Sequence, residues 1–211
     1  MRLAEYRGAA IATVNDVVSV SALLSSWNLP HQGFLAYAPP ALQSKSSLSP
    51  FLPSELIEHK AVYYQEAICN HVAIFPGVKS LVTDLAQNLP LAVASGALRN
   101  EIDTILITAG LINYFKAIVS AEDVERGKPE PDIFLKALAA LNAQNNDGKP
   151  IDPADCVVIE DSKEGIRGAR RAGMKCLAVT NSHPAELLTD ANAVVKTLET
   201  VTLNFVESLC Q

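Results

Sequence analysis

Ser95, Lys128, Glu160 and Asp161 each come soon after a short apolar run. Ser95 closes "LAVAS" (91–95), Lys128 lies in "RGKPEPD" after "KAIVS" (116–120), and "CVVIE" (156–160) ends in Glu160 with Asp161 next to it. These residue types suit one chemistry. A hydroxyl with neighbouring backbone N–H groups holds phosphate oxygens, and an ammonium offsets their charge. Mg²⁺ takes one or two carboxylates and fills its other positions with water and substrate phosphate. Phosphoryl transfer asks mainly for positioning and charge stabilisation of this kind. The set contains no nucleophile of its own.

The flanking patterns say how these groups are brought to one edge. "GVKSLVTDLAQNL", "RNEIDTILITAGL" and "PDIFLKALAALNA" have helical apolar spacing, with Pro131 at the first turn of the last. They alternate with "LAVAS", "KAIVS", "CVVIE", "KCLAVT" (175–180) and "AVV" (193–195), which read as strands. That alternation predicts an α/β fold, a parallel sheet with helices on both faces, over residues 75–211. Ligands of such sheets bind outside the carboxyl ends of the strands, where all four side chains fall. Gly165, Gly168, Ala169, Ala172 and Gly173 would let the helix after Asp161 approach the sheet closely.

Each residue also has a plainer reading. Asp161 in "DSKE", with Glu164 three residues on, resembles a capping box for that helix. Ser95-Gly96 reads equally as a turn, and Lys128 alone as a solvated lysine. Order and placement together carry the argument.

Residues 1–74 are read as a helical cap. "ELIEHKAVYYQEAICNHV" is amphipathic at helical spacing, and "PPALQSKSSLSPFLP" is a Pro- and Ser-rich loop. "AAIATVNDVVSVSALLSSW" is ambiguous between strand and helix. A formal net charge of −6 and the lack of a basic run argue against nucleic-acid binding. No apolar run is long enough for a bilayer and no leader pattern opens the chain, so the expected compartment is the cytoplasm. Cys69, Cys156, Cys176 and Cys210 are too dispersed for a zinc site and read as thiols, two of them inside strand-like runs. His31, His59, His71 and His183 are read as structural or surface residues.

"FPGVKSLVTDL", "LAVASGA", "IVSAEDVERGKPEPDIFLKAL" and "CVVIEDSKEGIRGARRAGMKCLAVTNSHP" resemble, in order and spacing, the haloacid-dehalogenase superfamily and its β-phosphoglucomutase-like phosphatases. The resemblance covers roughly residues 75–185. It implies a Rossmann-like core with an inserted helical cap, Mg²⁺ and an aspartyl-phosphate intermediate. It also implies that Ser95 binds the transferring phosphoryl group, with the Gly96 and Ala97 backbone N–H groups beside it. Lys128 would stabilise phosphoryl charge. Asp161 would be an acidic Mg²⁺ ligand, with Glu160 a second carboxylate that ligates directly or through water. The implied partner is a small phosphorylated metabolite, sugar phosphates included.

One element departs from the family. Its first strand ends in Asp-x-Asp, the nucleophile and the general acid/base, and this sequence contains no Asp-x-Asp. In "IATVNDVVSVS", Asp16 could stand for the second carboxylate, but Val14 would then take the nucleophile's place. The expectation is that "EYRGAA" already belongs to the cap and that the chain starts downstream of the first strand. The alternative is that "AAIATVNDVVSV" fills the resulting gap, which would otherwise leave two strand edges unpaired. Three functions are weighed: a Mg²⁺-dependent phosphatase or sugar phosphomutase, a phosphate-binding relative without turnover, and a redox or dehalogenating enzyme on a similar sheet, which the lack of a reactive-cysteine signature and the Mg²⁺-type motif disfavour. In a full-length form, Asp161→Ala and Lys128→Ala are each expected to abolish turnover while leaving folding largely intact.

Overall fold

A computed structural model describes residues 9–12, 74–145 and 149–211. The chain divides into two compact units, one made of Met1–Ser19 with Ile74–Gln211 and the other of Val20–Ala73. The cap helix expected within residues 1–74 lies outside the described residues.

Among the described residues the first unit is built on six parallel strands: β1 (Ala9–Ala12), β2 (Leu91–Ala94), β3 (Phe115–Val119), β4 (Cys156–Glu160), β5 (Lys175–Val179) and β6 (Ala193–Val195). Their order across the sheet is β3-β2-β1-β4-β5-β6. Among the described residues the α-helices are α1 (Val78–Ala86), α2 (Arg99–Ala109), α3 (Asp132–Ala143), α4 (Lys163–Arg171) and α5 (Leu203–Ser208). This is the doubly wound arrangement that the alternating patterns predict.

β1 corrects the expectation that the first strand is missing. Ala10 pairs with Leu91 on one side and with Val157 on the other. Ala9–Ala12 therefore belongs to the sheet rather than to the cap. The physical reason is the one that made an absent strand awkward: without β1, β2 and β4 would each present a buried row of unpaired N–H and C=O groups. The sequence order of the strands reverses at β1, so the crevice at the carboxyl ends of β1 and β4 is the switch point where such folds bind ligands.

Side chains alternate across the sheet. One face is lined by small residues, Ala9, Ala92, Ala94, Cys156, Cys176 and Ala178, with Ile11 and Val158 among them. That shallow face lets α3 and α4 come close, through Ile133, Phe134, Ala137, Leu138, Ile166 and Ala169. Gly168 of α4 accommodates the Phe134 ring, whose Cε2 would lie 2.9 Å from a Cβ built there. Phe134 is completely buried, and truncating such a ring typically costs about 3–5 kcal/mol. The alternate strand positions, Leu91, Val93, Val157, Ile159, Leu177 and Val179, are buried on the opposite face. Among the described residues no helix is long and apolar enough to cross a membrane.

Candidate active site

β4 carries two carboxylates to the sheet edge, and both are 1% exposed. Their surroundings differ. Glu160 is saturated with donors: its Oε2 accepts from the backbone N–H of Asp161 at 2.9 Å and from the N–H and hydroxyl of Ser162, each at 2.8 Å. Its Oε1 takes the ammonium of Lys128, which is 16% exposed. Gly165, in the first turn of α4, leaves room for this carboxylate, because a Cβ there would stand 1.9 Å from Glu160 Cδ. Lys128 Nζ also lies 5.1 Å from the centroid of the Phe134 ring, a cation–π placement.

The loop carrying Lys128 is tied from two sides. Arg171 at the end of α4 donates to the Pro129 carbonyl at 3.2 Å and to Glu130 Oε1 at 2.7 Å. Arg126 pairs with Asp132 at 2.9 Å at the start of α3. Both pairs are solvent-exposed, so their part is to hold the loop in place more than to add stability.

Asp161 is not the cap of α4. That position belongs to Ser162, whose hydroxyl oxygen accepts from Gly165 N–H at 3.0 Å. The Asp161 carboxylate is thereby free for another use. Its Oδ2 accepts from the Ser182 hydroxyl, and the ring Nδ1 of His183 lies 3.1 Å from its backbone carbonyl. Its Oδ1 is buried and, among the described residues, has no hydrogen-bond partner. Burial pushes the Asp161 carboxyl above the ordinary carboxylate range; the Ser182 hydroxyl works against that rise, Glu160 adds to it and Lys128 opposes it.

Ser95 follows β2, two strands away from β4 with β1 between them. It is buried, its N–H donates to the Val119 carbonyl at 2.9 Å, and its Oγ accepts from Ala97 N–H at 3.1 Å. That leaves the hydroxyl hydrogen of Ser95 to donate. Gly96 is exposed, and a Cβ there would meet nothing within 4 Å. The structure thus joins Lys128, Glu160 and Asp161 through direct contacts or chain adjacency, and sets Ser95, Gly96 and Ala97 at the same edge of the sheet. Val14 and Asp16 lie outside the described residues.

Ser162 and Ser182 escaped the sequence reading, and His183, read as structural or surface, turns out to contact the Asp161 main chain. Ser162 sits in the "DSKE" box, whose plainer reading puts the cap one residue early, at Asp161. Ser182 and His183 follow β5, so the strand-end rule that found Ser95 applies to them too. Their contacts with Asp161, across 21 and 22 residues, leave no local signal.

The Mg²⁺ that the resemblance implies fits this donor set at Asp161. A buried carboxylate oxygen without a donor is a standing desolvation penalty, and a hard cation relieves it. Among the described residues no group of three or more His, Cys, Asp or Glu side chains is arranged to hold a metal. Mg²⁺ asks for only one or two carboxylates beside water and phosphate.

Comparison with known proteins agrees with the geometry. The family model of the haloacid dehalogenase-like hydrolases matches residues 13–179. The β-phosphoglucomutase of Bacillus subtilis is 34% identical over 152 residues, which are 71% of this chain and 62% of that protein. The validoxylamine A 7'-phosphate phosphatase of Streptomyces hygroscopicus subsp. limoneus is 34% identical over 126 residues, 59% of this chain and 55% of that protein. The chain thus spans less than two thirds of the length of either relative. In fold it resembles CbbY from Rhodobacter sphaeroides, solved with xylulose-(1,5)-bisphosphate, at a TM-score of 0.76 and 18% identity over 95% of this chain and 99% of that one. The β-phosphoglucomutase of Clostridium difficile superposes with a TM-score of 0.73 and 24% identity, covering 97% of each chain. By its sheet order, its strand-end residues and these matches, the chain belongs to the haloacid dehalogenase-like hydrolases, in their β-phosphoglucomutase-like subgroup.

Proposed function

We propose that this chain binds Mg²⁺ and the phosphate group of a small phosphorylated metabolite at the carboxyl edge of β1, β2 and β4, and that its reaction is Mg²⁺-dependent phosphoryl transfer of the phosphatase or phosphomutase kind. The observation that carries the reading is Asp161, a buried carboxylate at the switch point with one oxygen unpartnered among the described residues. When bound there, Mg²⁺ supplies charge neutralisation for phosphate oxygens. The chain's own residues supply the rest. The Ser95 hydroxyl donates to a phosphate oxygen beside the exposed Gly96 backbone. Lys128, held by Glu160 and backed by the Phe134 ring, presents positive charge where negative charge gathers in the transition state. Sugar phosphates are the substrate class this reading favours, since the similar proteins include a β-phosphoglucomutase and a protein solved with xylulose-(1,5)-bisphosphate.

A second reading is a phosphate-binding relative without turnover. It is favoured by one sequence fact: β1 is followed by Thr13-Val14-Asn15-Asp16, where the family carries Asp-x-Asp. One pair of measurements on the full chain separates the two readings. Hydrolysis of p-nitrophenyl phosphate that needs Mg²⁺ and disappears in Asp161→Asn supports the enzyme. Calorimetric binding of Mg²⁺ and inorganic phosphate with no turnover supports the binder. Phosphate affinity that is absent, or indifferent to Mg²⁺, would sink both.

A further inference from the structure

We infer that Ser182 tunes which divalent cation this site accepts, by keeping one oxygen of Asp161 out of the metal's coordination shell. The inference rests on the reading of Asp161 as a magnesium ligand and deepens it. The Ser182 hydroxyl donates to Oδ2 of Asp161, whereas Oδ1 is buried and has no hydrogen-bond partner among the described residues. The His183 ring secures the same residue through its main chain: Nδ1 lies 3.1 Å from the Asp161 carbonyl, and a carbonyl oxygen only accepts, so Nδ1 carries the hydrogen. The loop after β5 therefore grips Asp161 at both side chain and backbone and leaves the other carboxylate oxygen without a donor among the described residues.

That arrangement discriminates between cations of equal charge. Ca²⁺ accommodates six to eight oxygens at about 2.3–2.6 Å and readily takes both oxygens of one carboxylate, whereas Mg²⁺ demands a tight octahedron at about 2.0–2.1 Å. A two-oxygen bite fits that octahedron poorly. With Oδ2 engaged by Ser182, Asp161 is a one-oxygen ligand, the form that suits Mg²⁺. Glu160 does not readily restore a two-oxygen bite, since its Oε2 already accepts three hydrogen bonds and its Oε1 holds Lys128. Ser182 is thus a positioning residue that acts through Asp161.

The test is calorimetric titration of MgCl2 and, separately, CaCl2 into the metal-free full chain as wild type, Ser182→Ala, Ser182→Thr and Asp161→Asn. Ser182→Ala should weaken Mg²⁺ by about tenfold, the lower end of what loss of a partner behind a metal ligand does, and leave Ca²⁺ unchanged or tighter. The ratio of the two affinities then moves about tenfold towards Ca²⁺. Ser182→Thr, which keeps the hydroxyl, should retain the wild-type ratio. An unchanged ratio in Ser182→Ala, whether neither ion or both ions bind more weakly, overturns the inference. Asp161→Asn separates this failure from the larger one. If it loses Mg²⁺ while the Ser182→Ala ratio stays fixed, only the role of Ser182 falls. If it binds Mg²⁺ as the wild type does, or the wild type takes up neither ion, the metal reading falls as well.

Discussion

Lys128 and Glu160, 32 residues apart in sequence, form a nearly enclosed ion pair in which the carboxylate is 1% exposed. The pair joins the loop after β3 to the end of β4. Removing the ammonium leaves a buried carboxylate short of its cation, an uncompensated charge that typically costs about 3–5 kcal/mol. Lys128→Ala is therefore expected to lower stability by about 3 kcal/mol, read by urea unfolding, and not merely to silence the site. Glu160→Gln in the same chain should return part of that loss. The expectation drawn from the sequence, that Lys128→Ala leaves folding largely intact, thereby gains a measurable cost, because the burial of Glu160 makes it the anchor of Lys128.

Gly165 sets the spacing between α4 and β4. A methyl group there would stand 1.9 Å from the Glu160 carboxyl carbon, and the intrinsic helix preference for Ala over Gly, about 1 kcal/mol, does not offset that collision. Gly165→Ala is expected to destabilise the protein by about 1–3 kcal/mol, as overpacking does, and to displace the Lys128 partner. Thermal unfolding gives the first quantity, and weakened phosphate binding in the same variant gives the second.

Ser120 donates to Asp123 Oδ2 through both its N–H and its hydroxyl, each at 2.8 Å. The backbone bond, then the hydroxyl, holds the Asp123 carboxyl below its ordinary value of 3.8. A depressed carboxylate stabilises the fold above the unfolded value and loses that contribution as pH falls through the folded one. Asp123→Asn should accordingly be less stable than wild type near neutrality. The gap should narrow below pH 3.8 and close once the pH lies under the folded value. Because the side chain is 37% exposed, solvent screening keeps the effect modest. Denaturant midpoints of the two proteins across that range provide the check; a gap that widened in acid would contradict the assignment.

Burial, above all, pushes the Cys156 thiol up to about 12. The thiolate is the reactive form, so native protein at pH 8 should leave Cys156 unalkylated by iodoacetamide while unfolded protein is labelled there. Peptide mass mapping distinguishes the two. Labelling of the native chain at this position would mean that the lower end of β4 opens far more readily than its packing implies.

The two carboxylates illustrate how far the sequence could be read. "CVVIE" announces a strand because its β-branched run is long enough to be buried on both faces, and the rule that ligands sit at carboxyl ends then points to Glu160 and Asp161. Which of them caps the following helix depends on one residue of phase, and Ser162 takes that place. β1 was harder to see. Ala-Ala-Ile-Ala has little strand propensity, and a strand paired on both sides shows no alternation, so only the requirement to close the sheet identifies it. Ser182 was hidden for a different reason: its partner is fixed by how β4 and β5 lie together, which no local pattern encodes. α5 (Leu203–Ser208) is so short that its apolar spacing hardly exceeds one turn.

The central position of β1 also has a bearing on biosynthesis. Ala9–Ala12 leaves the ribosome first among these strands, yet its neighbours are Leu91–Val93 on one side and Cys156–Ile159 on the other. Contacts so remote along the chain give the fold a high contact order and make it slow to assemble. Until β4 has been synthesised, one side of β1 has no native partner and its edge is open to any passing strand. Small alanine side chains give that waiting edge little apolar surface to stick with, so the plainness that hides β1 in the sequence also protects the nascent chain from premature association.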